Sequence, residues 1–154
     1  MTYFFAYGDR MSPERMHEFV SGAKVVGPAR LPGYRLEFNV MSRSWGGGAA
    51  NAVLDPGGSL WGVLWDIGDE NPAELDSSRG DDLTHRPIEV TVEGPEGPVA
   101  AQTMAIWSGE KFVRPTERYV AMLRAIAQEQ GLPAGALEAI DAAAQGQHGP
   151  APSI

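Results

Sequence analysis

The chain has 154 residues, a length that fits one domain with its own hydrophobic core. Its 12 Lys and Arg stand against 20 Asp and Glu for a formal charge of −8, so a phosphate-rich polymer meets net repulsion and nucleic acid is not an expected partner. Cysteine is absent, which removes disulfides, thiolate metal sites and a cysteine nucleophile together.

Residues 2–7 (TYFFAY) form an aromatic run ended by Gly8, the pattern of a buried strand breaking into a turn. No basic residue precedes that short run, so it does not read as a secretory signal. No apolar stretch approaches the ~20 residues that span a bilayer, and the expectation is a cytoplasmic protein without membrane contact. Ser12 as a cap and Pro13 at the first helical position then predict a short helix with Met16, Phe19 and Val20 on one face. From Ala23 to Trp107 the pattern is strand-like over residues 24–29, 34–40, 50–54, 60–67, 88–92 and 99–107, with Tyr34, Leu36, Phe38 and Val40 sharing a face. Between these lie Leu31-Pro32-Gly33, Asp55-Pro56-Gly57-Gly58 and Gly94-Pro95-Glu96-Gly97, and the 19 glycines and 12 prolines imply many tight turns. Past Pro115 the period becomes helical, with Tyr119, Leu123, Ile126 and Ala127 behind a Thr116 cap until Gly131-Leu132-Pro133 stops the run. A further helix is predicted over 136–144, and residues 145–154 lack apolar periodicity and read as a flexible tail. The expected class is α+β: one domain over 1–144, built as a small mixed β-barrel or curled sheet of six to seven strands with a few flanking helices.

Local motifs leave little chemistry. His17, His85 and His148 are too scattered for a zinc-ligand pair, and neither a metal nor a coenzyme is expected. The run Ser44-Trp45-Gly46-Gly47-Gly48 is followed by no GK[ST], so it reads as a hairpin or bulge needing positive φ rather than as a phosphate loop. Trp45, Trp61, Trp65 and Trp107 could stack a ligand, but Trp61 and Trp65 fall on one strand face, where core packing is the default. No GxSxG, Ser-x-x-Lys or triad order occurs.

A series of blocks carries more. Tyr3-Phe4-Phe5-Ala6-Tyr7-Gly8, Ala29-Arg30-Leu31-Pro32-Gly33-Tyr34 with Leu36 and Phe38, Trp45-Gly46-Gly47-Gly48-Ala49-Ala50-Asn51 and Trp61-Gly62-Val63-Leu64-Trp65 come first. Leu75-Asp76, Ile88-Glu89-Val90, Pro115-Thr116-Glu117-Arg118-Tyr119 and Gly131-Leu132-Pro133 follow. From Tyr3 to about Ile140 this order resembles the γ-glutamylcyclotransferase family, also called AIG2-like. The resemblance implies that family's fold and a reaction without metal or coenzyme. In it the α-amine of a γ-glutamyl group attacks its own γ-carbonyl, expels an amine or amino acid and leaves 5-oxoproline. Such chemistry needs a base for the α-ammonium proton, whose reference pKa is ~8, and backbone N–H groups at the γ-carbonyl oxygen. In the family the turn that supplies those donors reads YGSN, and the base is a glutamate in a pattern like LDxxEG.

Both places differ here. The turn is Tyr7-Gly8-Asp9-Arg10, and Leu75-Asp76 leads into Ser77-Ser78-Arg79-Gly80. The glutamate position falls on Arg79 by the Gly80 anchor and on Ser78 when counted back from Ile88-Glu89-Val90. Neither is a carboxylate, and an arginine with a pKa above ~12 is a permanent donor. His85 matches a tyrosine usual shortly before the Ile-Glu-Val strand, though an exposed turn accounts for it equally well. Tyr119 matches the tyrosine at the helix start. The resemblance thus marks Asp9, His85 and Tyr119 as candidate catalytic groups and Tyr7, Gly8, Arg10, Ser78 and Arg79 as candidate ligand-binding groups, with Asp81 and Asp82 as lesser replacements for the base. Three readings remain. One is a diverged cyclotransferase-type enzyme for an amino-acid-like or γ-glutamyl-type small molecule, one a binding protein for a small anionic metabolite, and one a structural or partner-binding relic. Exchanging a hydroxyl for Asp9 and a carboxylate for Arg79 in one pocket also predicts that the two charges pair.

Overall fold

In a computed structural model, residues 1–71, 86–105 and 111–146 are described, and they form a closed five-stranded barrel with helices packed on it. The elements are β1 (Tyr3–Ala6), a single helical turn (Asp9–Met11), α1 (Pro13–Phe19), β2 (Lys24–Ser42), β3 (Gly47–Asp66), β4 (Arg86–Gly94), β5 (Gly97–Ala105), α2 (Glu117–Glu129) and α3 (Ala134–Ala144). Barrel order is β1-β3-β2-β4-β5. β1 closes it, running antiparallel to β3 from Tyr3↔Asp66 to Ala6↔Val63 and parallel to β5 at Phe4↔Gln102.

The barrel has fewer strands than the sequence patterning predicts because four predicted segments fuse in pairs. Residues 24–29 and 34–40 are one strand, as are 50–54 and 60–66, with Ile67 just past its end, and the two form one long hairpin. Pro32-Gly33 and Asp55-Pro56-Gly57-Gly58, which read as turns, face each other across it. Pairing passes from Pro32↔Ser59 to Tyr34↔Leu54, with Gly33 and Gly57 at φ of 83° and 89°. The turn chemistry is spent on an irregularity that bends a continuous ladder, a device that lets a long hairpin curl into a barrel. Gly94 and Gly97 bracket a true two-residue turn between β4 and β5, as expected.

Strand residues are buried on both faces in places, since the neighbours Val63 and Leu64 point to opposite faces and are both covered. Phe5, Phe38, Val63, Leu64 and Val92 are fully buried, and Trp65 nearly so. Trp61 is partly buried against the same core, so both strand tryptophans pack as the alternation predicts. Helix α1 starts at Pro13 and buries Met16 in the core, although the Ser12 hydroxyl makes no capping bond. α2 begins where Thr116 Oγ1 accepts from Tyr119 N–H at 3.2 Å and ends before Gly131, at φ 77°. Its stripe of Tyr119, Leu123, Ile126 and Ala127 is buried as predicted. α3 starts two residues before the predicted helix. Residue 107 and the tail beyond Gly146 lie outside the described residues. No helix among those described is long and apolar enough to cross a membrane.

Candidate functional site

The site grows from an uncovered strand edge. β2 flanks β3 along its whole length, but β1 reaches only Val63–Asp66, so the other edge of β3 near Gly48–Ala52 has no partner strand among the described residues. Successive N–H groups of a strand point alternately to its two sides, and unpaired ones inside a fold are costly. Here the alternate donors Gly48, Ala50 and Ala52 are met one by one. Gly48 N–H donates to Arg114 O at 3.0 Å, Ala50 N–H to the Tyr119 hydroxyl at 3.1 Å, and Ala52 N–H to the Tyr7 hydroxyl at 3.2 Å. Two phenols and one carbonyl thus replace a strand.

The glycine run explains how the covering segment comes so near. Gly46, at φ 70°, makes the β2–β3 turn, as the hairpin reading expects. Gly47 and Gly48 serve a different purpose: a Cβ on Gly48 would lie 1.9 Å from Val113 O, and one on Gly47 would lie 2.8 Å from Arg114 O. Only bare backbone lets residues 113–116 lie against the strand and launch α2 with Tyr119 aimed at Ala50.

Tyr7 closes the other side. Its hydroxyl donates to Met104 O on β5 while accepting from β3. Burial pushes its phenol well above the ordinary tyrosine value; Tyr119 adds to this, and the Ala52 hydrogen bond and the Arg10 charge oppose it. The phenol is therefore neutral and positions backbone rather than acting as a base.

After Tyr7 the chain makes its single turn, with Met11 N–H on Gly8 O and Ser12 N–H on Asp9 O. The first N–H groups of such a turn have no acceptor within it. Gly8 stands beside Ala50, its missing Cβ 3.9 Å from the alanine methyl. Asp9 lies 3.7 Å from Arg15 of α1, and Arg10 lays its guanidinium 3.6 Å above the Phe19 ring. Over Tyr119 stacks Trp45, centroids 4.8 Å apart and planes 33° from parallel, and Arg15 and Arg118 lie 4.9 and 5.8 Å from the Trp45 ring.

The structure therefore gathers Tyr7, Gly8, Asp9, Arg10 and Tyr119 around one end of the barrel. Ser78, Arg79 and His85, with Asp81 and Asp82, lie outside the described residues, and so does the predicted Asp9–Arg79 pair; the described partner of Asp9 is Arg15. Sequence reasoning missed Arg15, Arg118 and the backbone of β3 and β5. Only the adjacency of Arg118 to Tyr119 hinted at them. A shallow groove lined by Tyr3, Glu89, Thr91 and Gln102 shares no residue with this cluster. No group of three or more His, Asp or Glu among the described residues is placed to hold a metal ion.

Known proteins match this chain in sequence and fold. A family profile described as AIG2-like matches residues 59–139. Bovine γ-glutamylcyclotransferase is 33% identical over 135 residues, covering 84% of this chain and 72% of the relative. This chain belongs to the AIG2-like, γ-glutamylcyclotransferase family. A solved γ-glutamyl cyclotransferase structure superposes with a TM-score of 0.81 at 30% identity, over 92% of this chain and 86% of the other. YkqA of Bacillus subtilis gives 0.76 at 26% identity, over 94% of this chain and 54% of that one. Within this γ-glutamylcyclotransferase-like chain, the turn after β1 reads Tyr7-Gly8-Asp9-Arg10.

Proposed function

We propose that this protein is a diverged cyclotransferase-type enzyme of the cytoplasm. It acts on an amino-acid-like or γ-glutamyl-type small molecule by proton transfer and intramolecular acyl transfer without a cofactor, and ordinary 5-oxoproline formation is weak or lost. The observation that carries this reading is the retained frame around the edge of β3. Tyr7 and Tyr119 hold Ala52 and Ala50 N–H, and the Gly8 turn lies against Ala50.

In this reading the Gly8 and Asp9 N–H groups receive the acyl oxygen, Tyr119 bounds the pocket, and Asp9 takes the proton that the family's glutamate takes elsewhere. Asp9 is the carboxylate carried by the turn itself, and Arg15 at 3.7 Å orients it. His85 is the second candidate for proton transfer, and Arg10, Ser78 and Arg79 hold the ligand. Arg79, which with Ser78 is one of the two residues matched to the glutamate position, favours one other reading, a binding protein for a small anionic metabolite.

The test follows 5-oxoproline release from γ-glutamyl dipeptides by the purified protein and its Asp9→Asn variant. Removing a general base costs ~10²–10⁴ in rate, so the unmodified protein should fall at least ~10² below the ~1–10³ s⁻¹ of an ordinary enzyme. Residual turnover should drop further in Asp9→Asn. Turnover of ~1–10³ s⁻¹ would overturn the claim of lost activity, and residual turnover unaffected by Asp9→Asn would remove Asp9 as the base.

A further inference from the structure

The barrel closes between β1 and β5 through a ladder of one rung, Phe4↔Gln102. Continued toward the strand starts, that parallel ladder would next pair Thr2 with Ala100, and these residues do not pair. Thr2 turns its backbone to the other side, donating its N–H to Gly68 O at 2.7 Å and accepting from Ile67 N–H at 2.9 Å. Backbone groups of successive strand residues turn to opposite sides, so those of Tyr3 face the seam. From Gly97 to Ala101 the β1-side edge of β5 has no partner strand among the described residues, close to the ~5–6 residues of a common strand.

At this seam lies an open groove of about 430 Å³, lined by Thr2 and Tyr3 of the β1 side and by Ala100 and Gln102 of β5. Glu89 and Thr91 of β4 line it too, because Ala100, which pairs with Thr91, has too little bulk to screen them. Glu89 is the one charged side chain in that lining; it is exposed and has no hydrogen-bond or ion-pair partner among the described residues. Glu93, on the same face of β4, is instead held by Arg30, whose Nε and Nη2 donate to one carboxylate oxygen at 3.0 and 2.7 Å. Unpaired edges recruit other chains unless lysine, proline or a bulge blunts them. This one has Pro98 at its start and then Val99, Ala100 and Ala101, which leave it open. A second copy is a poor occupant, since it would bring another −8 and another unpaired Glu89 to the same edge. A basic segment gains where a second copy loses.

We infer that the β1–β5 seam is a docking groove for an extended peptide segment of another protein, which adds a strand to the edge of β5 and sets a lysine or arginine against Glu89. Backbone hydrogen bonds carry the affinity, and Glu89 selects the sequence. The groove shares no residue with the cluster around Tyr7 and Tyr119, so this inference stands apart from the cyclotransferase-type reading.

The test titrates the full chain by calorimetry with short, terminally blocked peptides that alternate valine and threonine. One carries a central lysine and one a central glutamate; the lysine peptide is also made N-methylated at every second backbone nitrogen, in both registers. The lysine peptide should bind at least about tenfold more tightly than the glutamate peptide, and the preference should fall below about threefold in Glu89→Gln. At least one N-methylated form should cease to bind, and Ala100→Arg, which fills the groove from an exposed position, should abolish binding of the lysine peptide. No binding of the lysine peptide, or undiminished binding of both N-methylated forms, would overturn strand addition. A lysine preference that survives Glu89→Gln would overturn the role of Glu89. Concentration-dependent dimerisation in sedimentation, abolished by Ala100→Arg, would assign the edge to a second copy and overturn the peptide as its occupant.

Discussion

Tyr7 carries its hydroxyl between two strands, donating to Met104 on β5 and accepting from Ala52 on β3, so Tyr7→Phe leaves two buried backbone groups without partners. Each such loss costs about 1–3 kcal/mol, and the variant should unfold at correspondingly lower denaturant. Its raised pKa also has a signed consequence for stability. Above about pH 10 the unfolded chain gives up this proton while the folded one keeps it, so stability is full below that pH and falls as pH rises. The slope from this one group is up to ~1.4 kcal/mol per pH unit. Denaturant titrations from pH 9 to 11 should show a shallower decline in Tyr7→Phe than in the unmodified protein; parallel declines would contradict the buried, proton-retaining phenol. At this scale the sequence marks Tyr7 as buried by its place in an aromatic run, and Tyr119 by its helical stripe. It cannot show that both hydroxyls end on alternate N–H groups of one strand, because that depends on which edge β1 leaves uncovered.

Among the elements, the β2–β3 hairpin decides where everything else sits. Its outer edge is closed by residues 113–119, and Gly48 is the point of nearest approach, with room for no Cβ beside Val113 O. Gly48→Ala should therefore destabilise the fold by more than the ~1–3 kcal/mol of ordinary overpacking and should displace Tyr119 from Ala50. Gly135→Ala, in α3 where a Cβ meets nothing within 4 Å, should instead be neutral or stabilising. Equal midpoints of the two variants in urea would show that the 113–116 segment does not press on the strand. The predicted strands are present because alternation is a local property. Their fusion was illegible because Pro-Gly pairs signal a turn equally well when they bend a ladder, and only pairing across the hairpin separates the two. The glycine run was legible as non-phosphate-binding, but its crowding against residues 113–116 is a long-range contact with no periodic trace.

For the molecule as a whole, the barrel and helices are those of the γ-glutamylcyclotransferase family, and the interest lies in charge placed on that frame. Asp9 and Arg10 follow β1, Arg15 and Arg118 flank Trp45, and Leu75-Asp76 leads into Ser77-Ser78-Arg79-Gly80. The fold class was readable from ordered blocks spread over most of the chain, since many matching gaps constrain a topology. The arginine pair was not, because Arg15 and Arg118 are separated by the whole barrel in sequence.

The proposed function requires that the frame be competent and only the base be displaced. Restoring it is the direct measurement: 5-oxoproline release from γ-glutamylalanine by Arg79→Glu and Ser78→Glu variants beside the unmodified protein. A gain of at least about tenfold is expected in one of the two, within the ~10²–10⁴ a general base supplies. Folded variants that both stay at the unmodified rate would contradict it.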